Sequence, residues 1–299
     1  MLPRLRRARE LQDEPTERAR VARWHTTLDR ALPTRAVPRF DRRFSVVTED
    51  LTSGSGTFPA YVITPVHRGH PGHGEPTRTL FYVHGGGFMA PMDPFQVRYA
   101  TRLATALGAR VVLPDYPLAP EHTWRDSFEP LAALAGRWAG RPGGAVLAGD
   151  SAGGGYALAL ALALRDSGGH QPTHLLLHSP WVDLTMSAPE TAAFDTVDPW
   201  LFLGKARAYA GWWAGSLDDL GRPEVSPALA DLRGLPPGLM LYGTRDLLAP
   251  GCRLLSRRAA EAGWDLTSVE RPDLLHVYPL LPFLPEARVA FGQTVEFLS

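Results

Sequence analysis

Short apolar runs alternate with segments of helical length along most of this chain, and that alternation leaves few architectures open. The runs LFYV (80–83), VVL (111–113), AVLA (145–148), LLL (175–177) and LMLY (239–242) are continuously apolar. Strands of that kind are buried on both faces, as inside a parallel sheet. The strands expected are Phe44–Thr48, Phe58–Thr64, Thr79–His84, Ala109–Pro114, Ala145–Gly149, His174–Ser179, Gly238–Gly243 and Asp265–Glu270. Between them, Ala/Leu/Arg-rich stretches near 95–107, 127–139, 152–167, 200–214, 252–263 and 285–298 predict helices. Alternating β and α segments imply a doubly wound α/β fold, an eight-stranded and mostly parallel sheet flanked by helices.

Composition narrows the function. The 299 residues carry 31 Lys+Arg against 31 Asp+Glu, so there is no cationic excess with which to bind nucleic acid. One cysteine, Cys252, excludes an internal disulfide and a cysteine zinc site. The aliphatic run Tyr156–Leu164 stops at Arg165, too short for a membrane span. The first forty residues mix arginines with acids and have no apolar core, so no signal peptide is read and a cytoplasmic location is expected. Leu5, Leu11, Val21, Trp24 and Leu28 there suggest an interrupted amphipathic helix, broken near Pro15 and ended by Pro33. It reads as an arm packed on the body or a lid. Lys205 is the single lysine, a bias expected from base composition rather than function.

The chemistry concentrates in two glycine-rich turns. Gly149-Asp150-Ser151-Ala152-Gly153 joins an apolar strand to an Ala/Leu helix, the context in which a serine is raised as a nucleophile. The helix that follows aims its amide dipoles at the place where an oxyanion forms. His84-Gly85-Gly86-Gly87 ends the strand at Val83 and can direct backbone N–H groups into the same site, together with that of Ala152. His84 is expected to hold this loop in shape rather than act as a base. A phosphate loop is excluded, since no Gly-Lys-Ser/Thr follows.

A serine hydrolase of this kind needs an acid and then a histidine downstream. His170, His174, His178 and His276 follow Ser151, and only His276 comes after the last strand. His178 reads as a core histidine. Asp246 ends the strand 239–243 plus a short loop, and the thirty residues to His276 fit one helix and one strand. Asp273 is the rival acid, disfavoured because it shares a loop with His276. Asp218, Asp219 and Asp265 read as surface. His67, His70 and His73 suggest a metal set, but their Gly/Pro loop reads as a solvated linker. Cys252 reads as packing. Trp200, Phe202, Tyr209, Trp212 and Trp213 form either ordinary core or an aromatic wall over an acyl pocket.

The blocks FYVHGGGF (81–88), DYPLAPEHTW (115–124), GDSAGGGYALALALALRDSG (149–168), SPWVDLTMS (179–187) and YGTRDLL (242–248) resemble the hormone-sensitive-lipase-like carboxylesterases of the α/β-hydrolase fold. The resemblance covers most of residues 44–298. It implies Ser151 as nucleophile, Asp246 as acid and His276 as base. It also implies Gly85, Gly86 and Ala152 as oxyanion donors, with His84 and Gly87 as loop support and Gly87 as a further amide. A helical cap would come from residues 1–43 and about 187–220, over a catalytic domain spanning 44–299. The implied activity is hydrolysis of short- to medium-chain acyl esters through an acyl-enzyme. No cofactor or metal is implied, the partner is a small-molecule ester, and a homodimer stays open. Amidase- or lactonase-type acyl hydrolysis and a non-catalytic binding role are the alternatives; receptor-like relatives tend to lose the histidine, which this chain keeps. Two departures stand out: Val277-Tyr278 after the histidine, and Gly155 where the family commonly has Asn.

Overall fold

The continuous apolar runs become the interior of one sheet. The computed structural model describes residues 10–66 and 76–299. Its strands are β1 (Phe44–Ser53), β2 (Gly56–Pro65), β3 (Thr79–Val83), β4 (Arg110–Pro114), β5 (Ala145–Asp150), β6 (His174–His178), β7 (Gly238–Arg245) and β8 (Leu266–Leu275). They lie in the order β1-β2-β4-β3-β5-β6-β7-β8. β2 runs antiparallel to β1 and β4, and every other pairing is parallel. The parallel strands therefore end along one carboxyl edge, where α/β sheets bind their ligands.

The helices are α1 (Glu14–His25), α2 (Phe40–Arg43), α3 (Pro94–Leu107), α4 (Phe128–Ala139), α5 (Ala152–Asp166), α6 (Thr191–Phe194), α7 (Leu203–Ala214), α8 (Ala249–Ala262) and α9 (Pro285–Leu298). Alternate residues of β3 point to opposite faces. Phe81 and Val83 join a core with α4, α5 and α8, whereas Leu80 and Tyr82 join a second core with α3 and α9. α3 begins with a reciprocal Asp93–Gln96 capping box and Pro94, and stops at Gly108 in the left-handed region.

The structure departs from the sequence reading at both ends. Pro15 opens α1 instead of breaking it: Asp13 caps the helix by accepting from Thr16 N, and the missing proline N–H costs nothing in the first turn. The helix ends at His25, well before Pro33. β1 runs on to Ser53, since polar residues through Thr52 pair across the hairpin with Thr57. β8 continues past Pro272 to Leu275 through an irregularity opposite Gly243 and Arg245, so His276 follows the strand directly.

The N-terminal arm is stitched to the body. Arg18 donates to Pro120 O, the His25 ring bonds Met89 O and Glu121, and Arg30 forks onto the Asp115 carboxylate. α1 also meets α7: Trp212 Nε1 donates to Glu14, and Tyr209 donates to Glu17.

Candidate active site

Ser151 sits between β5 and α5 at φ 51°, a left-handed value that a β-carbon normally avoids. The turn is possible because its flanking residues lack side chains. A β-carbon on Gly149 would lie 2.3 Å from Gly153 O, and one on Gly153 would lie 2.2 Å from Val83 O. Gly155, one of the departures from the family pattern, is explained in the same way. A β-carbon there would stand 1.9 Å from Trp181 O, so α5 packs directly on that backbone.

The structure brings together the three residues that spacing selected. His276 Nε2 lies 2.8 Å from Ser151 Oγ, and His276 Nδ1 lies 2.9 Å from Asp246 Oδ2. All three are buried. The other Asp246 oxygen accepts from Leu248 N at 2.9 Å, which fixes the carboxylate plane. Asp273, the rival acid, is exposed at φ 60° and uses its N–H on Thr244 Oγ1. His178 is a core residue whose Nε2 meets Tyr99 OH at 2.8 Å, and burial pushes its pKa down to about 3.

The glycine loop requires a correction. Gly85 was expected to offer its amide to an oxyanion, but that N–H donates to Asp150 Oδ1 at 3.1 Å. Gly85 also does not line the cavity, whereas Gly86 and Gly87 do, and among the described residues neither of their amides has a backbone acceptor. Ala152 opens α5, where an N–H has no intrahelical acceptor. His84 braces the loop as expected. Its Nδ1 donates to Gly85 O at 2.7 Å and its ring stacks on Tyr116 at 4.3 Å. Burial holds its pKa near 4, so the ring is neutral at pH 7.

Several residues at the site went unnoticed in the sequence. Asp150 is one of the two variable positions of the pentapeptide, and it gathers Tyr82 OH, Gln96 Nε2 and Gly85 N around a buried carboxylate. Burial raises its pKa, opposed by those hydrogen bonds and by His276. Buried Asp198 accepts from Leu247 N at 2.7 Å, beside Asp246, and from Trp200 and Leu201. Burial lowers the His276 pKa, but the Asp246 charge and hydrogen bond, with Asp198 and Asp150 behind them, outweigh it and leave the imidazole raised. Ser179 Oγ accepts from Val277 N at 3.0 Å and so ties the end of β6 to the histidine turn. No local motif announces these long-range partners.

Above Ser151 and His276 opens a cavity of about 880 Å³, bordered by Trp181, Phe202, Tyr209, Leu248 and Leu281. The aromatic cluster divides: Trp200, Phe202 and Tyr209 face the cavity, while Trp213 is fully buried and stacks on Phe88 at 4.4 Å. At the rim, Glu17 accepts from Arg20 and Tyr209 and pairs with Lys205. Cys252 is buried with its Sγ 3.6 Å from Pro180 O, and burial pushes its thiol well up. His67, His70 and His73 lie outside the described residues, as does Leu5. Among the described residues no helix is long and apolar enough to cross a membrane.

Fold and site together define the class, an α/β hydrolase, and a family model for the alpha/beta hydrolase fold matches residues 80–280. The chain is 33% identical over 225 residues to an acetyl-hydrolase of Streptomyces hygroscopicus, covering 74% of this chain and 75% of the other. It is 31% identical over 230 residues to an esterase of Acinetobacter venetianus, covering 75% of each. A crystal structure of an esterase from the bacterial hormone-sensitive lipase family is similar over 99% of this chain and 94% of the other, with TM-score 0.73 and 28% identity. The chain belongs to the hormone-sensitive-lipase-like carboxylesterases, and it is a carboxylic ester hydrolase.

Proposed function

We propose that the protein hydrolyses short- to medium-chain acyl esters through an acyl-enzyme formed on Ser151. The observation that carries this reading is the unbroken relay from Asp246 through His276 to Ser151 Oγ, with contacts of 2.9 and 2.8 Å. His276 takes the Ser151 proton as the oxygen attacks the ester carbonyl, and Asp246 holds the tautomer and stabilises the imidazolium. The amides of Gly86, Gly87 and Ala152 receive the developing oxyanion, each critical donor contributing about 3–4 kcal/mol. His276 then protonates the departing alcohol, and a water repeats the sequence to release the acid.

Residues 1–43 and about 187–220 act as a cap over this chemistry. Supporting that division, Arg20 from α1 and Phe202, Lys205 and Tyr209 from the insertion border the cavity. A cavity of about 880 Å³ roofed from both sides favours acyl chains of limited length. The Streptomyces relative is an acetyl-hydrolase, which agrees with short acyl groups. A crystal of another neighbour, with 26% identity and TM-score 0.73, was soaked with p-nitrophenyl butyrate.

The test is a series of p-nitrophenyl esters from acetate through butyrate and octanoate to palmitate. The expected result is kcat/KM that peaks before octanoate is passed and collapses at palmitate. Turnover that keeps rising to palmitate contradicts the capped-pocket reading. Turnover of the matching anilides above the esters contradicts the ester reading.

A further inference from the structure

A second cavity, of about 320 Å³, lies behind the histidine turn and is bounded by Arg98, Tyr99 and Arg102 of α3, Leu280, and Arg288 of α9. Its chemistry is unlike that of the first. Arg98 and Arg102 stand one helical turn apart on the same face of α3, and Arg288 approaches from the helix packed beside it. Some surface arginines find carboxylates, as Arg137 does with Glu49, Arg233 with Asp231 and Arg253 with Glu270, whereas these three converge on one concavity. Among the described residues Arg98, Arg102 and Arg288 have no carboxylate partner.

The like charges act on one another. Burial lowers the Arg102 pKa first, and the Arg98 and Arg288 charges lower it further. The Arg102 guanidinium is also held over the Phe291 ring, 3.6 Å from its centroid, so the fork is preorganised. A fold that gathers unpaired guanidiniums around a concavity leaves repulsion which a bound anion relieves, and guanidinium forks match phosphate oxygens two at a time. We propose that this cavity binds a phosphate-class oxyanion.

The phosphate can belong to a small free anion or to a lipid headgroup. Phe95 continues the Arg98–Arg102 face of α3 and Phe283 follows Pro282; both side chains are exposed, on the ridge between this cavity and the active-site cavity that they line. A lipid would meet apolar contact there, and a free anion would not need it.

The experiment has two arms. Pyrophosphate is titrated calorimetrically against sodium chloride of matched ionic strength, and phosphatidylcholine vesicles with and without phosphatidylglycerol are tested by flotation. Saturable binding of one pyrophosphate, weakened about tenfold by Arg288→Gln but not by Arg233→Gln, supports a free-anion site. Binding confined to phosphatidylglycerol vesicles, and lost in Arg288→Gln, supports a headgroup site. No saturable binding in either arm, or binding indifferent to Arg288→Gln, overturns the proposal. Arg98→Gln serves as a second variant should Arg288→Gln fail to fold. Both are expected to keep ester turnover and to melt no lower than the parent without anion, since each removes a repulsive charge.

Discussion

Replacing Asp246 by Asn probes the relay with almost no change of shape. Oδ1 of the buried carboxylate accepts from Leu248 N and Oδ2 accepts from His276 Nδ1. In Asp246→Asn the amide oxygen stays on Leu248 N. The reverse orientation would set an NH2 group against that N–H with no water to intervene, at roughly 1–3 kcal/mol. The new NH2 group then donates to His276 Nδ1, which places the imidazole proton on Nε2, facing Ser151. The base is in the wrong tautomer. Turning the amide back restores the tautomer at that cost, and a neutral amide also lacks the charge-assisted bond that stabilises the imidazolium. The combined loss is roughly 3–6 kcal/mol, a fall in kcat of about 10²- to 10⁴-fold, and the upper end matches the same change in the Ser-His-Asp template. The assay is p-nitrophenyl butyrate hydrolysis at neutral pH, with KM expected within a few-fold and the melting temperature nearly unchanged. Asp273→Asn, at the exposed rival, should leave kcat alone. A kcat for Asp246→Asn within about tenfold of the parent refutes the reasoning.

In the proposed mechanism His276 must be neutral to accept the serine proton, and the pH profile follows from that. Its pKa is raised above the ordinary 6.5, so the acid limb of kcat/KM should fall above pH 6.5, and activity should be gained as pH rises through it. Glu17→Gln should lower the melting temperature by about 1–2 °C at neutral pH, since one partner, Arg20, is half exposed and the cluster contributes only about 1 kcal/mol. The Arg20 hydrogen bond, against burial and with help from Tyr209 and Lys205, holds the Glu17 pKa near 2 rather than 4.5. A depressed carboxylate stabilises above its unfolded pKa, so the difference between parent and variant melting curves should shrink below pH 4.5 and vanish near pH 2. Gly155→Ala drives a β-carbon into Trp181 O and should destabilise by about 3 kcal/mol, read by urea denaturation; an unchanged midpoint contradicts that packing.

Much of this was legible in the sequence, for reasons that differ by residue. The central strands could be read because burial on both faces forces continuous apolar runs, and Leu80–Val83 or Ala145–Ala148 fit nothing else. His276 could be selected because chain order and strand ends leave one candidate. What stayed hidden depends on partners distant in sequence. Gly85 looked like a donor because its loop did, yet its N–H meets a carboxylate 65 residues away. Arg98 and Arg102 carry no local signal, because only the fold brings Arg288 of α9 beside them. Pro15 was misread because a proline breaks a helix interior but begins a helix well, and only the Asp13 cap tells the two apart.

In the proposed mechanism Ser151 carries the acyl group. Incubating the protein with a fluorophosphonate and mapping the product by mass spectrometry tests it most directly. One adduct is expected, on Ser151, forming in step with loss of esterase activity and absent from Ser151→Ala. Loss of activity with no adduct on Ser151, or an adduct on any other residue that abolishes turnover, contradicts it.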